Sequence, residues 1–278
     1  MRIDAHHHLW RYDPAGYAWI DADGPIARDF TAGDLAPTLA ANGMDAAIAV
    51  QARQVEAETR ALLDAAARCP AIVGVVGWID LRAQDIVERL AADAAPTLCG
   101  YRHMVQDEVN GDFLLDAPFV RGIRAVAAAG LSYDLLVDHR QLATVPALLD
   151  QAGEGRFILD HAAKPAIACG GWQPWAERIA AVAACPQVMC KVSGLVTEAD
   201  HARWRANDIE RYLDHVFALF GPERLIWGSD WPVCLLAASY ADVLALVEDY
   251  VARHCPESAP AIFGGNALCA YAIAARMP

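Results

Sequence analysis

The sequence predicts a (β/α)8 barrel occupying one domain over residues 1–278, and three observations lead there. Short β-branched and apolar runs alternate with Ala/Leu-rich segments of helical spacing, the pattern of repeated βα units around a parallel sheet. Eight such runs are present, starting 26 to 44 residues apart, and each interval is long enough for a right-handed crossover helix. No Gly-x-Gly-x-x-Gly follows the first run, which weakens the rival reading of a doubly wound open sheet and its dinucleotide cofactor.

Taken in order, the first strand is Arg2–Ala5, followed by a long loop and the helical segment Ala32–Asn42. Ala46–Gln51 and Glu56–Arg68 form the second unit. The break Cys69-Pro70 then isolates strand Ile72–Trp78, and Pro96 separates helix Ala83–Ala94 from strand Leu98–His103, since proline ends the preceding helix. Helix Pro118–Ala129, strand Leu131–Val137 and helix His139–Gln151 follow. The last three strands are Phe157–His161, Val188–Ser193 and Leu225–Ser229, with helices Trp175–Ala184, Ile209–Phe220 and Tyr240–His254 after them. The long non-helical stretches 7–30, 104–116, 162–174 and 194–208 all follow strand C-termini, where a barrel builds its active-site face.

Composition narrows the function. Apolar residues make up 56 % of the chain, which excludes disorder and supplies a large core. The formal charge of -13 carries no compensating basic cluster, so nucleic acid is excluded as a partner. No stretch reaches the ~18 apolar residues of a membrane span. The eight cysteines contain no Cys-x-x-Cys pair and read as reduced, buried thiols of a cytoplasmic enzyme. The sequence is silent on oligomeric state.

Chemistry concentrates at three strand ends. Asp4-Ala5-His6-His7-His8 closes the first; on extended backbone His6 and His8 share one side and His7 points away. Two converging imidazoles can ligate a divalent metal or hydrogen-bond a carbonyl; a tag remnant would instead show six or more histidines outside the fold. The sixth strand ends in Asp160-His161, with Lys164 close behind, placed either to reach a substrate oxygen or to lie in a solvated loop. The eighth ends Trp227-Gly228-Ser229-Asp230-Trp231-Pro232, delivering a carboxylate as the strand stops. Asp230 is the best candidate base, against the alternative of a helix cap or Asx turn. Arg102 and His103 end the fourth strand and are expected at the same mouth, where a guanidinium fixes a carbonyl or carboxylate oxygen, or locks two loops. Trp10, Trp19, Trp172 and Trp231 fall in or beside these loops, where indole faces offer flat apolar contact surfaces.

These motifs, in this order and spanning nearly the whole chain, resemble the amidohydrolase superfamily, a TIM-barrel group with His-x-His after its first strand and Asp after its eighth. Within it, the stretches Ile3 to Trp10, Asp160 to Pro165 and Trp227 to Pro232 are similar to the sugar-lactonase branch. The resemblance implies hydrolysis of a sugar lactone, L-fuconolactone first among candidates, with Asp230 activating water. His161, His6 and His8 would polarise the ring ester, and Arg102, His103, Lys164, Trp10, Trp172 and Trp231 would contact substrate. The two-metal members carry a bridging lysine or glutamate after strand four and a histidine after strand five. Here Tyr101-Arg102-His103 and Leu136-Val137-Asp138 stand instead, which argues against a binuclear centre. His6, His8, Asp230 and His161 then either hold a single zinc or act as a metal-free acid/base set; no organic cofactor is expected. A scarcity of arginines on these loops favours a neutral sugar lactone over a dicarboxylate. The rival readings are a metal-dependent decarboxylase of an aromatic acid, which zinc dependence would reveal, and a sugar-acid binder without turnover.

Overall fold

Strands with no polar face need cover on both sides, and this chain supplies it by closing its sheet and ringing it with helices. The structure, a computed structural model, describes residues 1–273. Its strands are β1 (Ile3–His7), β2 (Ala46–Val50), β3 (Ile72–Gly77), β4 (Leu98–Met104), β5 (Ser132–Leu136), β6 (Arg156–Leu159), β7 (Val188–Val192) and β8 (Leu225–Trp227). They lie side by side in sequence order, each parallel to the next. The intervening helices are α1 (Ala32–Ala41), α2 (Glu56–Arg68), α3 (Ile86–Ala92), α4 (Ala117–Ala128), α5 (Val145–Ala152), α6 (Trp175–Ala183), α7 (Ala206–Phe220) and α8 (Tyr240–His254). This is the expected (β/α)8 TIM barrel.

The seam between β8 and β1 closes just beyond β8. His8 N–H donates to the Trp231 carbonyl at 2.7 Å and Asp230 N–H to the His6 carbonyl at 2.8 Å. Asp4 locks the seam from beneath, accepting from Ser229 N–H at 2.9 Å, the Ser229 hydroxyl at 2.6 Å and the Tyr240 hydroxyl at 3.1 Å. Gly228 is required there: a Cβ on it would lie 2.6 Å from His6 Cβ and 2.9 Å from His6 N.

Differences from the expected boundaries have local causes. β1 runs two residues further than Ala5, through buried His6 and His7. β6 stops at Leu159, because Asp160 and His161 leave the sheet in a tight turn. α5 begins only at Val145, since Pro146 lacks an N–H and belongs in a first helical turn; a 3-10 turn, Gln141–Thr144, precedes it. α8 starts where expected because Ser239 and Asp242 form a reciprocal capping box.

A further element went unpredicted. After α8 the chain passes through a π turn (Ala261–Gly265) into a short helix, α9 (Asn266–Ala270). Ala267, Ala270, Tyr271 and Ile273 pack with Ile3, Ala5, Ile48, Val50, Ile158 and Ile226, so this segment plugs the N-terminal end of the barrel. The remaining core lies between strands and outer helices.

Candidate active site

Alternation along β1 sets the first part of the site. His6 and His8 converge, with ring centroids 4.9 Å apart, whereas His7 is fully buried with neither ring nitrogen hydrogen-bonded. Burial pushes His7 down to about 3, so it stays neutral and is an outer-layer packing residue. His8 Nδ1 stands 2.8 Å from the Val50 carbonyl. A carbonyl only accepts, so Nδ1 carries a proton, and Nε2 stands 3.3 Å from Asp230 Oδ1.

Two strained turns deliver the other groups. His161, Ala162, Ala163 and Lys164 have φ of 53°, 47°, 55° and 50°, a left-handed turn of four non-glycine residues. Such backbone costs roughly 1–2 kcal/mol per residue and must be held by its surroundings. Here Trp175 Nε1 donates to the Ala162 carbonyl at 2.8 Å, Lys164 N–H donates to the His161 carbonyl at 2.9 Å, and Ser193 Oγ lies 2.9 Å from His161 Nδ1. In so tight a turn residues three apart eclipse, so His161 and Lys164 face the same cleft. Asp230 is also left-handed, at φ 57°, and its carboxylate turns toward the imidazoles. His6 and His161 have ring centroids 4.5 Å apart.

Beneath these groups lies a charged layer that the sequence reading left unassigned. Lys191, on β7, is fully buried and stands 2.6 Å from Asp134 Oδ2, 2.9 Å from Asp160 Oδ1 and 3.0 Å from His6 Nδ1. The Tyr271 hydroxyl donates to Asp134 at 2.6 Å, which ties the barrel plug to this layer. Arg102 Nη1 donates to Asp160 Oδ2 at 2.9 Å and lies 3.2 Å from His6 Nε2; Arg102 Nη2 bonds the Gln51 carbonyl. The signal was present in the sequence: a lysine and an aspartate at central positions of otherwise apolar parallel strands are costly unless paired.

Electrostatics follow from this packing. Burial, reinforced by the Lys191 ammonium, holds His6 well below the ordinary imidazole value, and burial takes His161 down to about 4. Both are neutral at neutral pH. Burial alone would raise Asp230, but His161 and His8 outweigh it and leave its carboxyl below the ordinary value. Asp160 is driven well down by Lys191, His6 and Arg102 against its own desolvation, whereas burial raises Asp134 to about 6.

A cavity of about 280 Å³ opens above this floor, lined by His8, Arg102, His161, Lys164, Asp230 and Trp19 among others. Lys164 Nζ lies 3.4 Å from Glu198 Oε1, another lining residue. Several expected contacts lie elsewhere. Because Arg102 points into the barrel, His103, next on the strand, points out. The His103 ring is held between Trp78 Nε1 at 3.2 Å and Glu108 Oε1 at 2.7 Å and stacks on Phe113. Trp10 donates to the Arg28 carbonyl and packs on Tyr17 and Phe30. Trp172 packs on Trp175 and Tyr212 under the Arg211 guanidinium. Trp231 is buried edge-on against Phe30. Trp19, 49 % exposed, is the tryptophan that lines the cavity.

The donor types also suit a metal. Ligand atoms of His6, His161 and Asp230 lie within 4.8 Å of one another, and His8 Nε2 lies 3.3 Å from Asp230 Oδ1. His161 and Asp230, with a neighbouring imidazole, would hold a single divalent cation, which would act as a Lewis acid toward a carbonyl or water. His6 suits it less, having a cationic nitrogen within 3.2 Å of each ring nitrogen.

The amidohydrolase family model matches residues 3–273. The chain is 45 % identical over 285 residues to the L-fucono-1,5-lactonase of Burkholderia multivorans, covering 98 % of this chain and 96 % of that one. It is 39 % identical to the L-fucono-1,5-lactonase of Burkholderia ambifaria, with the same coverage. A crystal structure of a Burkholderia multivorans amidohydrolase with bound zinc superimposes with a TM-score of 0.94 at 44 % identity, covering 98 % of this chain and 99 % of that one.

Proposed function

Since the chain belongs to the amidohydrolase family, we propose that it hydrolyses a neutral sugar lactone, L-fucono-1,5-lactone or a close stereoisomer, to the sugar acid. The observation that carries the reading is the pairing of Asp230 Oδ1 with His8 Nε2, 3.3 Å apart on the floor of the cavity. A water donating one hydrogen to Asp230 is oriented with its oxygen lone pair toward the cleft. Asp230, ionised and lower in pKa than an ordinary carboxyl, takes the proton as the water oxygen attacks the ring carbonyl carbon.

The resulting oxyanion takes hydrogen bonds from His6 and His161, both neutral. The tetrahedral adduct then collapses with cleavage of the bond between the carbonyl carbon and the ring oxygen. Asp230, now protonated, returns the proton to that departing oxygen, which becomes the free hydroxyl of the acid. Proton and electron pair balance, and Asp230 is regenerated.

A neutral substrate fits the charge census of the cavity. Arg102 and Lys164 are each already paired with a carboxylate, Asp160 and Glu198, so neither brings an unbalanced positive charge for a substrate carboxylate. The 280 Å³ volume falls at the small end of ligand pockets, about 300–1,000 Å³, suiting a single sugar ring. A lactone ester is more electrophilic than an amide, so the imidazoles suffice and a bound cation is dispensable.

The test is proton release, followed with a pH indicator, from a panel of aldono-1,5- and 1,4-lactones corrected for spontaneous opening. Turnover is expected with L-fucono-1,5-lactone, and Asp230→Asn lowers kcat by roughly 10²–10⁴-fold with the fold intact. No acid release from any member of the panel would refute the reading.

A further inference from the structure

The chain contains only two lysines, Lys164 and Lys191, and the second is sealed inside the barrel beneath the reacting groups. A buried ammonium has three donors and no acceptor. Those of Lys191 meet Asp134 Oδ2 at 2.6 Å, Asp160 Oδ1 at 2.9 Å and His6 Nδ1 at 3.0 Å. Tyr271 holds Asp134 from the far side, so the ammonium has nowhere to shift. At 3.0 Å from such a group, Nδ1 of His6 can only accept.

A neutral imidazole has one lone pair. With Nδ1 accepting, the proton of His6 resides on Nε2, where Arg102 Nη1 stands 3.2 Å away. Two N–H donors then face each other and neither can bond to the other. Of the two contacts to His6, the lysine's is shorter and comes from a group with no freedom, whereas Arg102 is anchored independently by Asp160 and the Gln51 carbonyl. An oxygen with two lone pairs, set between the two donors, satisfies both at once. The opposite tautomer would place an Nδ1–H against the ammonium, with only Asp160 Oδ1 at 3.5 Å to receive it.

We propose that Lys191 is a positioning residue: it fixes His6 as the Nε2–H tautomer, so that His6 Nε2–H and Arg102 Nη1–H converge as paired donors for the oxyanion of lactone hydrolysis. The proposal rests on the lactonase reading above and adds Arg102 to the oxyanion site. It also removes His6 from any metal set, because a protonated Nε2 has no lone pair to give.

The direct test is long-range proton–nitrogen correlation NMR on protein labelled with ¹⁵N-histidine, with His6 assigned by its loss in His6→Gln. The expected pattern at neutral pH is a protonated Nε2 and a bare Nδ1; a proton on Nδ1 overturns the proposal. Lys191→Met takes the ammonium away from two buried carboxylates and can fail to fold, so Lys191→Met/Asp134→Asn, which preserves the net charge of the layer, is made alongside it. In whichever variant gives a wild-type circular-dichroism spectrum, His6 moves to the Nδ1–H form and kcat falls about 10²–10³-fold with KM nearly unchanged. A folded variant with wild-type kcat also overturns the proposal. If neither folds, the wild-type spectrum decides alone. An inactive wild type on the lactone panel would refute the lactonase reading while leaving the tautomer measurement to be judged separately.

Discussion

Gly194 offers a test of whether the exact seat of His161 matters. It follows β7 with φ of 62°, and a Cβ built there would lie 2.5 Å from His161 Nδ1 and 2.8 Å from Cγ. In Gly194→Ala the ring must retreat about 0.9 Å to reach ordinary contact at 3.4 Å. That displacement breaks its 2.9 Å contact with Ser193 and carries the imidazole off the carbonyl. A misplacement near 1 Å costs on the order of 10²-fold in rate. Forcing alanine into left-handed backbone adds roughly 1–2 kcal/mol of destabilisation, about 2–8 °C in Tm for a chain this size. The assay is lactone turnover at saturating substrate beside a thermal melt. The expected outcome is a folded protein with kcat down about 100-fold. Turnover within about threefold of wild type would remove His161 from the chemistry, because the geometry leaves the ring nowhere else to go.

Three further outcomes are expected. The kcat/KM profile should stay flat from neutrality to about pH 5 and fall only below it, because His161 takes up a proton near 4 and Asp230 below the ordinary carboxyl value; protonation removes activity, so loss comes on acidification. An acid limb centred near 6.5 would contradict this. Gly228→Ala drives a Cβ into His6 backbone and Cβ, neither of which can swing aside, so the β1–β8 seam opens at a cost of about 1–3 kcal/mol, read as a lowered denaturation midpoint. An unshifted midpoint would contradict the closure described. Dialysis against a strong chelator should leave turnover unchanged, with excess zinc inhibiting by seating on Asp230 and its neighbouring imidazoles; activity lost to chelator and restored by zinc would show instead that a cation is required.

The barrel was legible because its signal is repetitive: eight apolar runs with helical spacers, and all eight strands lie within two residues of their expected bounds at each end. His6, His8, His161 and Asp230 were legible because strand ends concentrate chemistry in such barrels. Directions of side chains were harder to read. Arg102 and His103 are neighbours on a strand and cannot share a face, so only one lines the cavity. The tryptophans were judged from loop membership alone, and three of the four pack into loop cores whose position depends on segments distant in sequence. Lys191 and Asp134 were visible as charges in apolar strands, but their partners come from β1, β6 and the segment after α9, and pairing at that range has no local signature. The plug itself escaped because short, alanine-rich helices carry little periodicity.

The wiring from Tyr271 through Asp134 and Lys191 to His6 has a consequence for biosynthesis. The first histidine of the site precedes by 265 residues the tyrosine whose hydroxyl steadies its support. A nascent chain can wind successive βα units as they emerge, but the catalytic floor stays unfinished until this stopper leaves the ribosome and enters the barrel from below. Competence therefore arrives late and at once, which spares the cell a half-built hydrolase.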